Sequence, residues 1–393
     1  MPTTYFDHIA ATPVRPEVFE AMRPFLTAKF GNPQSLHAAG REALAAVDAA
    51  REEVAALVGA SASEIYFTAS GSEANNFAVK GMALGQQARG RHIVVSAIEH
   101  SSVLNAVKAL ERSGFSSTLV PVDREGRVDP ADVEKALTKE TVLVSVMTAN
   151  SEVGTIQPVA EIGAVCRARN VLFHTDAVAA AGNIPVDVKA LGVDGLSLAG
   201  DQFYGPQGSA ALYVRKGARI LPLIDGGIQE GGRRGGTENV PGIVGLGRAA
   251  ALARAEMPAR TAALIPLRDR LLDELPRRIE HVLVTGSRTA RLPHHASFCV
   301  EFVEGEGMLL FLDMNGIAVS SGSACTSKSL KASHVLLAMG YDHATAQGSL
   351  VFSLIDGTTA ADVEKVLEAF PPIVGRLRAM SPLYTTYLKE RGS

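Results

Sequence analysis

Cysteine is scarce. The three in 393 residues, Cys166, Cys299 and Cys325, are too few and too scattered for a disulfide framework or a zinc knuckle. A reducing compartment, the cytoplasm, is the default expectation. Basic residues are not in excess: 38 Lys and Arg against 41 Asp and Glu leave a formal net charge of −3. No basic cluster carries interleaved aromatics, so no nucleic-acid partner is expected. No apolar run reaches the roughly 18–20 residues that cross a bilayer, so no membrane span is expected. The opening MPTTYFDHIAATPV lacks a basic and an apolar region, and no signal peptide is read in it. One absence is local: no lysine occurs between Lys189 and Lys216, a stretch that includes SLAGDQFYGPQGSAALYV at 197–214.

What is present is ordinary for a globular chain, with 47% apolar and 20% charged residues. Helix-like and strand-like patterns alternate through the first two thirds. PEVFEAMRPFLTAKF and AAGREALAAVDAAREEVAALVG have amphipathic spacing. EIYFTAS, HIVVSAI, SSTLVPV, TVLVSVMTA and VLFHTDAV read as strands with helices between them, then DGLSLAG and SAALYVR as a pair. That alternation predicts a mainly parallel sheet sandwiched by helices. A helix, GLGRAAALARAEM, is predicted around 247–258, and the remainder reads as a small α+β unit. The expected division is a large α/β domain at 15–255, with 1–14 and 256–393 forming the smaller domain that carries the Cys325 loop. The glycine-rich DGGIQEGGRRGGTENVPG at 225–242 is too long for a tight turn and has the size of a functional loop.

Several stretches can carry chemistry. FTASGSEANN sets Ser70-Gly71-Ser72 between a strand and a helix, where free amides and the helix dipole suit a phosphate; a plain Ser/Gly cap is the structural alternative. IEHSSVLN puts Glu99-His100 at the carboxyl end of a strand, the place where open parallel sheets bind ligands. VLFHTDAV ends a buried strand on Asp176, which needs a partner to offset desolvation: a pyridinium N–H, a backbone amide or an arginine. VSSGSACTSKSL surrounds Cys325 with small polar residues and reads as a partly exposed thiol, whereas Cys166 and Cys299 fall in core patterns.

Taken in order, YFDHIAATPV, FGNPQSLHAAGREA, FTASGSEANN, EHSSVLN, NSEVGTIQPV, HTDAV, YGPQGSAALYVRKG, GGTENVPGIVG and SSGSACTS resemble the cysteine desulfurase family. These are class V aminotransferase-like, fold-type I pyridoxal-phosphate enzymes. The resemblance spans essentially the whole chain and implies the fold of that family. It implies that Gly71 and Ser72 hold the cofactor phosphate, completed by Thr237 from the other subunit of a homodimer. His100 would stack on the pyridine ring, Asp176 would bond its nitrogen, and Cys325 would attack the substrate sulfur and carry it as a persulfide.

The departures fall in the same site. Where the family has its Schiff-base lysine this chain has Gln202, preceded by Asp201 in place of a histidine. Ser151 replaces a cofactor-contacting asparagine, Ala179 a glutamine that touches the ring hydroxyl, and Asp356 the arginine that clamps the substrate carboxylate. An amide is neither nucleophilic nor basic near neutral pH, and general acid–base help is worth about 10²–10⁴ in rate. The leading expectation is therefore a pseudoenzyme of sulfur trafficking and iron–sulfur cluster assembly. Cys325 would be persulfide carrier or iron–sulfur ligand, and an iron–sulfur scaffold or another sulfur acceptor the partner. Pyridoxal phosphate is expected to bind noncovalently or not at all. Two alternatives stand beside it: an active cysteine desulfurase with noncovalently held cofactor, and a partner-binding subunit without sulfur chemistry. His8, Asp201 and Asp356 have no metal-site spacing.

Overall fold

The computed structural model describes residues 4–322 and 332–391. Its centre is a seven-stranded sheet in the spatial order Ile65–Thr68, Ala210–Val214, Gly195–Ala199, Leu172–Asp176, Thr141–Ser145, His92–Ser96 and Ser116–Val120. The last five pair in parallel; Ala210–Val214 runs antiparallel to both its neighbours. The four strands from Ala210–Val214 through Thr141–Ser145 and the strand His92–Ser96 are buried at every position. All but Leu172–Asp176, which carries His174, Thr175 and Asp176, read as largely apolar runs because helices cover both faces. The mainly parallel α/β sandwich expected from the alternation is the architecture found.

Local signals set the helix limits. Pro16 opens Pro16–Thr27, and Ala38–Val58 stops at Gly59, whose φ of +69° is a left-handed cap. The helix read at 247–258 is part of one element of 39 residues, Val240–Arg278. It continues through Pro258 and Pro266 and runs unbroken past residue 255. Packing overrides the proline signal here: Gly247 lies so close to Ala50 of Ala38–Val58 that an added Cβ would meet Ala50 Cα at 2.5 Å.

The C-terminal part builds an antiparallel sheet of Val282–Val284, His295–Val300 and Ser349–Ser353, with its own core around Phe298, Phe352 and Phe370. The N-terminal strand Thr4–Tyr5 pairs with Ile317–Ala318. Cys166 and Cys299 are buried, as the pattern reading expected. The tail SPLYTTYLKERGS contributes a helix, Pro382–Arg391, with no buried residue. Among the described residues, no helix is long and apolar enough to cross a membrane.

Candidate active site

The site lies at the carboxyl ends of the parallel strands, where successive strand-to-helix turns converge. The first turn is Ser70-Gly71-Ser72. Ser70 caps the 15-residue helix Gly71–Gly85, its Oγ accepting from Glu73 N at 3.1 Å. Gly71 is sterically required: a Cβ there would meet Val178 Cγ2 at 2.6 Å and Ala199 Cβ at 3.6 Å. That contact sets the helix start against both the turn after Asp176 and the beginning of the elbow at 200. Ser72 is exposed beside it.

Asp176 ends its strand almost fully buried. Val178 N donates to Oδ1 at 2.9 Å and Asn75 Nδ2 donates to Oδ2 at 2.6 Å. Burial pushes this carboxyl up; His100 and the two donors oppose the shift without cancelling it. Asn75 Nδ2 also donates to Ser102 Oγ at 3.0 Å. His100 Nδ1 lies 2.7 Å from that hydroxyl and accepts from Ser102 N at 3.2 Å. With Ser102 Oγ receiving from Asn75, its own proton is available to Nδ1. A continuous relay thus joins His100 to Asp176. The sequence reading named its two ends and missed the middle, Asn75 and Ser102. Their spacing, one turn into one helix and at the start of another, was the available signal.

Two buried polar groups beside this relay have unmet capacity. Asn75 Oδ1 has no partner among the described residues. Glu99 is fully buried, and its Oε1 takes both Ser96 Oγ at 2.6 Å and Met147 N at 2.8 Å, while Oε2 has no partner among the described residues. Burial raises Glu99 to about 8. Glu99, His100, Ser151, Glu152 and His334 share a cavity of about 250 Å³ with Ile9 and Ile98. Burial also raises Glu152 to about 7, against the hydroxyl of Ser333, which donates to its Oε2. Ser151 is fixed through its carbonyl, which accepts from His295 Nε2 at 2.7 Å.

The elbow itself, Gly200–Gln202, is a short 3₁₀ turn. Gln202 is buried and its side-chain amide donates to Ile9 O at 3.3 Å. Its carbonyl receives Asn183 Nδ2 at 3.1 Å and lies 2.9 Å from His8 Nε2. Asp201 O accepts from both the amide and the hydroxyl of Thr12 at 2.8 Å. Tyr204 takes a φ of +67°, a strained value for a side chain of this size, and its amide donates to Thr12 Oγ1 at 2.7 Å. The N-terminal segment is thereby stitched along the elbow. His8 stacks on His294 at 4.3 Å and is pushed down to about 4 by burial. Among the described residues, no three side chains are grouped as a metal site.

Asp356 is held by Tyr204 and Arg15. Its amide donates to Tyr204 Oη at 2.7 Å, and its carboxylate lies 3.1 Å from Arg15 Nη1. Arg15 also meets Glu256 at 2.9 Å and Glu17 at 3.3 Å, so three acids surround one cation. Ala179 is buried and offers no polar atom. Thr237 stands apart from the relay, exposed in a cavity of about 210 Å³ with Thr68, Glu230 and Arg234. Its loop is pinned by Glu230, which takes two 2.7 Å bonds from Arg51 and one of 2.9 Å from Phe67 N, and by Arg234 on Glu73 at 2.8 Å. Cys325 lies outside the described residues.

The residues fit pyridoxal phosphate in part. A capped helix start suits its phosphate, a buried carboxylate suits its ring nitrogen, and His100 is joined to that carboxylate through Ser102 and Asn75. No amine stands at the elbow to tether it.

Comparison with known proteins identifies the family of the chain. The family Aminotransferase class-V matches residues 4–366. The chain is 49% identical over 378 residues to the cysteine desulfurase IscS of Dictyoglomus turgidum, covering 96% of each chain. It is 48% identical over 379 residues to that of Methanosarcina thermophila, covering 96% of this chain and 94% of the other. Among solved structures, a NifS-like protein superposes with a TM-score of 0.90 at 38% identity, over 95% of this chain and all of that one. The apo cysteine desulfurase of Thermococcus onnurineus NA1 gives 0.85 at 26% identity, over 95% of each.

Proposed function

The chain belongs to the class-V aminotransferase family and within it to the cysteine desulfurases, and from that premise we propose that it handles sulfur for iron–sulfur cluster assembly without a lysine-tethered cofactor. Cys325 accepts sulfur and passes it to a scaffold or other acceptor protein. Its thiolate attacks the outer sulfur of a donor persulfide, the donor leaves as a thiol, and Cys325 becomes the persulfide. In an alternative form of the same role, Cys325 is a ligand to an iron–sulfur cluster. The protein works in the cytoplasm as a homodimer, in which Thr237 completes the partner's site. The observation that carries the reading is the state of the elbow: Gln202 spends its amide on Ile9 O, and no residue there supplies an amine.

A second reading has its own support. The relay from His100 through Ser102 and Asn75 to Asp176 is assembled around polar capacity that no described residue uses. On this reading the protein cleaves L-cysteine to L-alanine with noncovalently held pyridoxal phosphate, which when bound supplies a ring that withdraws electrons from the reacting carbon. Ser72 and the helix start would hold its phosphate, Asp176 its ring nitrogen, and His100 would border its face.

Two measurements separate the readings. A persulfide donor should add one sulfur atom to the peptide containing Cys325, detected by mass spectrometry, and none in Cys325→Ser. Absence of that adduct overturns the sulfur-carrier role. L-cysteine with added pyridoxal phosphate should give alanine no faster than free cofactor does. Brisk alanine formation, with a visible cofactor band that borohydride fails to fix to the chain, establishes the second reading instead.

A further inference from the structure

The glycine-rich loop 225–242 is anchored by one buried carboxylate. Glu230 has a φ of +49°, and Gly231 and Gly232 follow at +64° and +75°. Glycine adopts such values freely, whereas a glutamate in this run is strained. Its carboxylate holds it there. Oε1 receives Arg51 Nη2 at 2.7 Å, and Oε2 receives Arg51 Nη1 at 2.7 Å and Phe67 N at 2.9 Å. The two limbs of the loop then close on each other. Gly235 N donates to Ile224 O at 3.0 Å, and a Cβ on Gly235 would meet Gly226 Cα at 2.6 Å. Beyond Thr237, Asn239 Oδ1 accepts from Gly242 N at 3.2 Å and caps Val240–Arg278. Thr237 is exposed between these fixed points. Arg234 offers a competing path, because its bond to Glu73 would let the loop act on its own subunit's helix start.

We infer that Glu230 is a positioning residue that acts across the dimer: its grip on Arg51 and Phe67 sets Thr237 for the cofactor phosphate of the partner's site, not of its own. This rests on the reading of Thr237 given above. A bidentate guanidinium fork fixes direction as well as distance, so it can hold a strained turn in one orientation. Thr237 lies seven residues further along a loop rich in glycine, where without such an anchor its hydroxyl would sample many positions.

Mixed dimers of the full chain, assembled from two differently tagged copies, test it by equilibrium dialysis with pyridoxal phosphate. The marker is Asp176→Asn, which weakens the site of the chain that carries it. With Asp176→Asn on one chain and Glu230→Gln on the other, both changes fall on the same site, and the other site is intact. That dimer should retain one cofactor tightly. With both substitutions on one chain, each site suffers one change, and no tight site should remain. Losing one hydrogen bond to the phosphate should weaken a site about tenfold. Arg51→Lys keeps the charge, loses the fork, and replaces Glu230→Gln if that variant misfolds. The reverse order, or equal retention by the two dimers, overturns the inference. Thr237→Ala in place of Glu230→Gln tests the underlying reading. If it gives the expected order and Glu230→Gln does not, the role of Glu230 alone falls. If neither does, or if the unaltered dimer retains no cofactor, both fall.

Discussion

Two walls can be compared: the helix start at Gly71 with His100 and Asp176, and the elbow 200–204 with Asp356. The first wall leaves capacity open. Asn75 Oδ1 has no partner among the described residues, and Asp176 is kept buried at a cost its hydrogen bonds do not fully offset. The second wall is closed on itself. Gln202 donates to Ile9, Asp201 receives Thr12, and Asp356 faces Arg15. A site that holds a ligand noncovalently needs only the first condition. A site that processes a tethered cofactor needs an amine in the second, which here is occupied with structure.

The strongest way to break this contrast is to restore the amine. Gln202→Lys should allow borohydride to fix the cofactor to the chain, and should raise alanine formation from L-cysteine by about 10²–10⁴. If the unaltered protein already matches the variant, the two walls do not differ in the way described. Next in size is Asp176→Asn. Hydrogen bonds to charged groups contribute about 1.5–3 kcal/mol, so retention of added pyridoxal phosphate should fall about 10–100-fold by equilibrium dialysis. Unchanged retention would mean that the first wall does not hold the ring.

The pH dependence of stability sharpens the same contrast. Glu99, raised from 4.5 to about 8, and Glu152, raised to about 7, bind protons in the folded state that the unfolded chain releases. Their contribution is full below about 4.5 and is lost as pH rises through 7 to 8. His8, lowered from 6.5 to about 4, and His295, lowered to about 3, act oppositely: stability is lost as pH falls from 6.5 toward those values. Thermal midpoints should therefore be highest between about pH 4.5 and 6.5. Glu99→Gln should flatten the alkaline limb and leave the acid limb in place; an unchanged alkaline limb would show that Glu99 ionises freely. The smallest expected effect is at the helix start. Ser70→Ala removes the cap on Glu73 N and should lower stability by about 1 kcal/mol in chemical denaturation. No loss would mean that the cap is idle in the folded chain.

Much of this was legible without coordinates. Strand-to-helix alternation predicted the mainly parallel sheet, because strands covered by helices on both faces read as largely apolar runs. The Ser70-Gly71 cap and Asp176 at a strand end were likewise readable, since each depends on residues adjacent in the chain. The length of Val240–Arg278 was not: local proline signals argue for an earlier stop, and packing of Gly247 against Ala50 lies outside any local window. Asn75 and Ser102 were invisible as parts of the site for a related reason. Asn75 meets Asp176 across 101 positions of sequence, and in its own helix it is one polar residue among several.

The sequence by itself determined that position 202 carries an amide and position 356 a carboxylate, and chemistry follows from atoms whatever surrounds them. Only the tertiary structure decided that the amide is committed to the N-terminal segment, that Asp356 meets Arg15, and that Glu99 keeps an oxygen unpaired among the described residues. The first two are relations between residues 193 and 341 positions apart. They exist because burial forces every polar atom either to find a partner or to bear the cost of lacking one.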